Sequence, residues 1–355
     1  MNTLRLKVDP GCLDSAHSAA ALDRAATILR GGGLVALPTE TVYGLGANAL
    51  DAEAVQSIFA AKRRPSWDPI IVHIAPLDRL DAMLEGLVKD VPEAAQRLMH
   101  AFWPGPLTLL LPRSAAVPNV VTAGRPLVGI RMPSHPVALE LIRRAGVPIA
   151  APSANVFGHT SPTTAAHVLE DLDGRIDAVL DAGPTIHGVE STVLDPNQTP
   201  MAIYRPGAIT AEQIGAVAGP VTLFGGGEEP IEAPTGPLAS PGLGLRHYAP
   251  RARLVLVEPA ADQLGLELAR AVAGLPDERV GIMLPAEAAP PPKGREIYPW
   301  GSWRAPEELA RNLYAGLRAL DARGCSVIVC PLPQGEGIGA AIRDRLRKAA
   351  HPSDD

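Results

Sequence analysis

Short apolar runs interrupted by compact polar clusters set the pattern of this chain. Leu34–Leu37, Ile70–Ile74, Val128–Ile130 and Pro148–Ala151 have the length and composition of strands. Most lead into, or are broken by, a polar cluster: Pro38–Gly44, Lys62–Pro65, Arg131–Pro133, Pro152–Asn155, Glu190–Thr192 and Tyr204–Gly207. Helical spacing covers residues 15–30, with Ser15 or Ser18 as N-cap and Gly31–Gly33 as the stop. Asp51 caps a predicted helix through Lys62, and further helices are predicted near 77–85, 92–101 and Val137–Arg144. Leu107–Leu111, Leu127–Arg131, Ala178–Leu180, Thr192–Leu194 and Met201–Tyr204 read as strands. Such alternation predicts an α/β layer fold. In an open α/β sheet the strand ends line one crevice, and ligands bind there. Hydroxyls, an amide and cations converging on it suit a small anionic ligand with several hydrogen-bonding groups.

The pattern breaks near residue 219. Residues 219–250 are dense in Gly and Pro and predict a linker without regular elements. Beyond it the alternation restarts. Arg253–Val257, Val280–Leu284 and Ser326–Cys330 read as strands, Glu307–Ala322 and Ile338–Ala349 as helices. The expected organisation is therefore a first domain over 1–218, a linker over 219–250 and a smaller α/β domain over 251–355. A length of 355 residues fits two domains. Aromatic residues make up only 4% of the chain, so Val, Leu, Ile and Ala must fill the cores. The formal net charge of −6 argues against non-specific nucleic-acid binding, which depends on neutralising phosphates. Lys62–Arg64 is a local basic exception. Cys12, Cys325 and Cys330 are too few and oddly numbered for a disulfide framework and fit a reducing cytoplasm. No N-terminal apolar stretch reads as a signal peptide and no run is long enough to cross a membrane. The expectation is a cytoplasmic protein without membrane contact.

Several tempting motifs lack their context. Gly335-x-Gly337-x-x-Ala340 matches a dinucleotide fingerprint, but no second strand with an acidic residue follows it; it reads as a glycine turn starting a helix. There is no P-loop, so any ATP would have to be held another way. The nine histidines show no metal-ligand spacing, and no protein metal site is assigned. No GxSxG nucleophile elbow is present.

Two spaced pairs carry the chemistry. Lys62-x-Arg64 follows a helix end and Ser153-x-Asn155 follows a strand. The cations can neutralise phosphate, with Arg adding bidentate geometry, while Ser and Asn position oxygens. Alone, each pair reads equally well as a solvated turn. Together with the other clusters, the chain strongly resembles the threonylcarbamoyl-AMP synthases. Lys62-x-Arg64 and Ser153-x-Asn155 look like that family's KxR and SxN signature. PTETVYGLG at 38–46, FWPGPLTLLL at 102–111, GIRMPSHP at 129–136 and IYRPGAIT at 203–210 match in order. The resemblance covers about 1–215. Ser240-Pro241-Gly242 with Arg246–Pro250, and the small domain after them, resemble the longer two-domain subfamily.

The resemblance implies a YrdC-like twisted open mixed sheet with flanking helices, followed by a small Rossmann-like α/β domain. It implies a nucleotidyltransferase that makes threonylcarbamoyl-AMP and pyrophosphate from L-threonine, bicarbonate or CO2, and ATP. Mg²⁺ would accompany ATP. A tRNA-modifying transferase complex would take the product for the adenosine next to the anticodon, with a weak or transient tRNA contact. By position, Thr41, His73, Arg131, Ala151 and Ser191 would hold threonine, Arg131 being the natural partner of its carboxylate. Lys62, Arg64, Ser153 and Asn155 would serve catalysis and hold ATP, joined by Asp68, Ser161, Arg205, His247 and Tyr248. His73 alone would read as a core histidine in an apolar strand; the resemblance moves it to the site. Asp68 stands where the family often has Asn, and would either repel phosphate or help hold magnesium. Gly244-Leu245 replaces a Lys-Tyr-like pair.

Two other readings share the fold: a carbamoyl-transfer enzyme and an RNA-binding module. The first would bring acylphosphatase-like and zinc-finger regions, which this chain lacks; acidity argues against the second. The linker is too long for a spacer and ends in Arg246-His247-Tyr248, which suits a lid over the crevice.

Overall fold

The computed structural model describes residues 2–76, 84–224, 238, 240, 247–260, 263–275, 278–289 and 294–351. One mixed sheet comprises β1 (Leu4–Lys7), β2 (Val35–Leu37), β3 (Gly44–Asn48), β4 (Val72–His73), β5 (Leu107–Pro112) and β6 (Leu127–Arg131). It continues with β7 (Ile149–Ala150), β8 (Ala178–Asp181), β9 (Thr192–Asp195), β10 (Met201–Arg205) and β11 (Val221–Leu223). The strand order is β1-β8-β2-β3-β7-β4-β6-β5-β9-β10-β11. Its helices are α1 (Ala16–Arg30), α2 (Ala52–Lys62), α3 (Glu93–Phe102), α4 (Asn119–Thr122), α5 (Pro136–Ala145), α6 (Ala165–Leu172) and α7 (Ala211–Ala218). A second, wholly parallel sheet is built from β12 (Arg253–Val257), β13 (Val280–Pro285), β14 (Glu296–Gly301) and β15 (Val327–Pro331), ordered β12-β15-β13-β14. Helices α8 (Leu264–Ala273), α9 (Pro306–Ala322) and α10 (Ile338–Ala350) belong to it.

The short apolar runs are strands buried on both faces. In β2, Ala36 packs into one hydrophobic cluster while Val35 and Leu37 pack into another, so the run needs no polar alternation. The N-cap of α1 is Ser15, whose side chain accepts from the Ser18 amide, and Asp51 caps α2 in the same way. Arg63, just after Lys62, adopts φ 53° and ends α2. Of the helix expected near 77–85, residues 77–83 lie outside the described residues.

Several elements escape the sequence pattern. β3 reads Gly-Leu-Gly-Ala-Asn and is held by antiparallel pairing to β2 and β7. β14 contains Pro299 and sits at the sheet edge, where a missing N–H is tolerated. β11 falls inside the Gly/Pro-rich stretch, so the first sheet extends to Leu223.

The C-terminal unit is packed onto the first rather than hung from it. Val42 and Val189 of the first unit share one hydrophobic cluster with Leu309, Ala310 and Leu313 of α9. Gly188 has φ +73°, and an added Cβ would lie 2.5 Å from Ala310 O, so only glycine admits α9 at that distance. Arg318 donates to Thr160 O at 2.6 Å and to Asp171 Oδ2 at 2.9 Å, and Arg311 Nε donates to Ile186 O at 2.9 Å.

Burial would raise the Asp171 carboxyl, but His159 and Arg318 outweigh it and hold the group at about 2. The folded value lies below the ordinary 3.8, so this stabilisation is full above that value and is lost as pH falls towards 2. The thermal midpoint should therefore drop between about pH 4 and pH 2, and Asp171→Asn should flatten that part of the profile. Parallel profiles for the two proteins would contradict the assignment.

Candidate active site

The polar clusters converge on one crevice in the first unit, closed on one side by His247 and Tyr248. The loop between β2 and β3 forms its floor. Thr39 Oγ1 donates to Val42 O at 2.6 Å, which folds the turn on itself and brings Thr41 inward. Arg131, at the end of β6, reaches this loop. Its Nη1 donates to Thr41 Oγ1 at 3.0 Å and its Nη2 to Glu40 Oε1 at 2.6 Å. His73 on β4 is the register partner of Arg131. Burial, then the charge of Arg131, pushes the His73 imidazole down to about 3, so it is neutral at physiological pH.

The KxR and SxN pairs meet physically. Lys62 Nζ donates to Ser153 O and to Asn155 O, each at 2.5 Å. Burial, then the neighbouring Arg64 charge, pushes this amine well below its ordinary value. Asn155 Nδ2 donates to Val156 O at 2.8 Å and His159 O at 2.9 Å, closing its own turn. Gly44 bridges Ser153, so the SxN turn is also sewn to β3. Arg64 Nη2 donates to Pro69 O at 2.7 Å and pairs with Asp68 Oδ2 at 2.9 Å. Asp68 thus neutralises Arg64 from behind.

At the opposite wall, Ser191 Oγ lies 2.8 Å from Thr108 Oγ1. Arg205 donates to Ser191 through Nε to its carbonyl and Nη2 to its hydroxyl, both at 3.1 Å. An added Cβ on Gly207 would lie 2.3 Å from Thr192 N, so the Arg205–Gly207 turn needs glycine to lie this close. His247 is buried; its imidazole is pushed well down by burial and then by Arg64, Lys62, Lys348 and Arg205. A neutral imidazole encircled by cations marks a place suited to a polyanion. Tyr248 sits at φ 65° with its ring under the Arg345 guanidinium at 5.1 Å.

Of the expected residues, Thr41, Arg64, His73, Arg131, Ala151, Ser153, Ser191, Arg205, His247 and Tyr248 line the crevice. Lys62, Asp68, Asn155 and Ser161 do not line it. Ser161 Oγ donates to Glu190 Oε1 at 2.5 Å. Sequence reasoning overlooked Glu40 and Glu190, although both sit inside motifs it singled out. It also overlooked Thr108. Buried side-chain atoms without a hydrogen-bond partner among the described residues include Glu40 Oε2, His73 Nδ1, His247 Nδ1 and Tyr248 OH. An unmet buried polar group costs about 1–3 kcal/mol, so their gathering at one place points to a ligand that meets them.

The sequence pattern of a family described as "Telomere recombination" matches residues 27–207, and that of "Threonylcarbamoyl-AMP synthase, C-terminal domain" matches 209–351. A threonylcarbamoyl-AMP synthase of Pyrococcus abyssi is 43% identical over 92% of this chain and 93% of its own length. One of Bacillus subtilis is 45% identical, with 92% of each chain covered. The crystal structure of P. abyssi Sua5 complexed with L-threonine superposes with a TM-score of 0.89 at 40% identity, covering 98% of both chains.

Proposed function

The chain belongs to the threonylcarbamoyl-AMP synthase family, and from that premise we propose how its crevice carries the reaction. It is an enzyme that forms threonylcarbamoyl-AMP and pyrophosphate from ATP, L-threonine and bicarbonate or CO2, for the threonylcarbamoyl modification of tRNA adenosine next to the anticodon. One observation carries the assignment of its parts. The crevice has two chemically different ends joined at Ser191: a guanidinium with a neutral imidazole and small hydroxyls, and a ring of cations.

The first end suits threonine. Arg131 uses three of its five donors on Glu40, Thr41 and Gly105 O, leaving two for an α-carboxylate. Thr41 and Ser191 suit the hydroxyl and amine, and neutral His73 hydrogen-bonds without repelling an ammonium. The Ala151 backbone edges the same end. The second end suits ATP, with Arg64, Arg205 and Ser153 facing the phosphates and His247 and Tyr248 closing over them. Lys62, Asn155 and Ser161 act from behind the wall by holding the SxN turn and Glu190 in place. Asp68 tempers Arg64.

In this scheme the threonine nitrogen bonds to the carbon of CO2 and sheds its proton. An oxygen of the resulting N-carboxylate attacks the α-phosphorus of ATP. The bond to the bridging oxygen breaks and pyrophosphate leaves. No covalent enzyme intermediate is needed; placing the two charged reactants and stabilising the developing phosphate charge suffice. Mg²⁺ enters as part of the ATP substrate. Glu190 is filled by donors, and no cluster of side chains that could hold a metal occurs among the described residues.

Much of the linker lies outside the described residues, but Leu238 N donates to Trp67 O at 3.1 Å and Ser240 is fully buried. His247 and Tyr248, at the end of this stretch, line the crevice, and that supports a lid role in shielding the mixed anhydride from water. The proposed organisation keeps a catalytic domain, this lid and a smaller C-terminal domain. The product would pass in the cytoplasm to a tRNA-modifying transferase complex, with only weak tRNA contact. Among the described residues no helix is long and apolar enough to cross a membrane.

Purified protein should release pyrophosphate from ATP only when threonine and bicarbonate are both supplied. Equal release without threonine would overturn the reading.

A further inference from the structure

Glu190 is a buried carboxylate on the crevice wall, yet among the described residues two of its three side-chain hydrogen-bond partners come from the C-terminal unit. Arg345 Nε, on α10, donates to Glu190 Oε2 at 2.8 Å. Tyr314 OH, on α9, donates to the same oxygen at 3.0 Å. Arg345 is only 1% exposed, and its Nη2 donates to Pro206 O at 3.0 Å, one residue past Arg205. Its guanidinium also covers the Tyr248 ring. One side chain that does not line the crevice thus touches two residues that do, Glu190 and Tyr248, and the turn just past a third, Arg205.

We propose that Arg345 is a positioning residue for the reaction: it locks the Glu190 carboxylate, so that Arg205 stays turned towards Ser191 and the nucleotide end of the crevice. The proposal rests on the reading of Arg205 as an ATP-holding group. Arg345 and Arg205 are the two cations acting on Glu190, and together they hold its carboxyl below the usual range despite burial. Without Arg345, the carboxylate would turn to Arg205. That capture would withdraw Arg205 from Ser191 and spend on Glu190 a positive charge that otherwise faces the polyphosphate. Binding of threonine, at the other end, would change little.

The test is calorimetric titration of the full chain with a non-hydrolysable ATP analogue and, separately, with L-threonine. Arg345→Ala should weaken the analogue about tenfold or more and threonine less than about threefold. Adding Glu190→Gln should restore most of the lost analogue affinity, because a neutral amide has no charge with which to capture Arg205. A purely structural role for Arg345 would not be rescued by removing a second buried group. Unchanged analogue affinity, equal losses for both ligands, or no recovery in the double variant would overturn the proposal. Arg205→Ala in the same titrations separates the two readings. If it leaves the analogue unaffected, the ATP assignment itself fails and the proposal falls with it. If it weakens the analogue, the Arg345 results stand on their own. Should Arg345→Ala not fold, Arg345→Lys against Arg345→Gln decides. The retained charge should keep analogue affinity within about threefold, its loss should cost about tenfold, and equal affinities would overturn the proposal.

Discussion

Arg131→Ala should weaken threonine binding about ten- to a hundredfold and remove a measurable part of the protein's stability at once. The guanidinium is buried and bridges Glu40 at 2.6 Å and Thr41 at 3.0 Å. Removing it leaves Glu40 as a buried carboxylate without a charged partner, a change that costs about 3–5 kcal/mol. The lost contact to the threonine carboxylate should cost about a further 1.5–3 kcal/mol of binding, roughly ten- to a hundredfold in affinity. Arg64→Ala should do the reverse, weakening ATP while leaving threonine within a small factor. Arg131→Lys should recover stability through its charge, but little threonine affinity, because an ammonium lacks the planar fork of donors that grips a carboxylate at two points. Titration of each ligand with each variant, alongside thermal midpoints, decides the matter. Equal losses of both ligands in the Arg131 and Arg64 variants would contradict the division of the crevice.

The fold class and most strands of the first sheet were legible in the sequence, because uninterrupted Val, Leu and Ile runs belong to strands covered on both faces. The residues that meet at the crevice were legible for a different reason: polar clusters at strand ends must face one side. What each atom does there was not. Lys62 was expected to face phosphate, yet its amine donates to the carbonyls of Ser153 and Asn155. Spacing says that a cation and a polar turn meet, but a buried amine satisfies its donors with whatever carbonyls lie nearest. Asp68 could be read as repelling phosphate or holding metal; its bond to Arg64 adds a role as charge partner that spacing could not show. Glu40 and Glu190 were passed over because sequence adjacency does not tell which way a carboxylate turns. The Glu190–Arg345 pair spans 155 residues, and no local pattern connects its ends. β3 was missed because glycine and asparagine carry no strand signal; its neighbours impose the conformation.

A chain ending after Phe224 should fold and be nearly inactive. The cut belongs there, past the expected boundary at 218, because β11 pairs with β10 and completes the first sheet. What is lost is specific. His247 and Tyr248 leave the crevice wall, Val42 and Val189 lose their apolar cover, and Glu190 keeps only Ser161 as a side-chain partner. A Glu190 carboxylate that draws Arg205 away from the polyphosphate and an open, wet crevice should lower turnover on the order of a hundredfold or more. If the C-terminal unit were only tethered, the truncated chain would turn over almost normally while keeping its circular dichroism and a cooperative melt. The full-length His247→Ala/Tyr248→Ala variant divides the loss further. It removes the two rings from the crevice but leaves α9 and α10 seated against Val189 and Glu190. Activity lost in the truncated chain beyond that variant is the share carried by docking itself. Equal activity of the two would mean that the rings close the site and that docking merely holds them there.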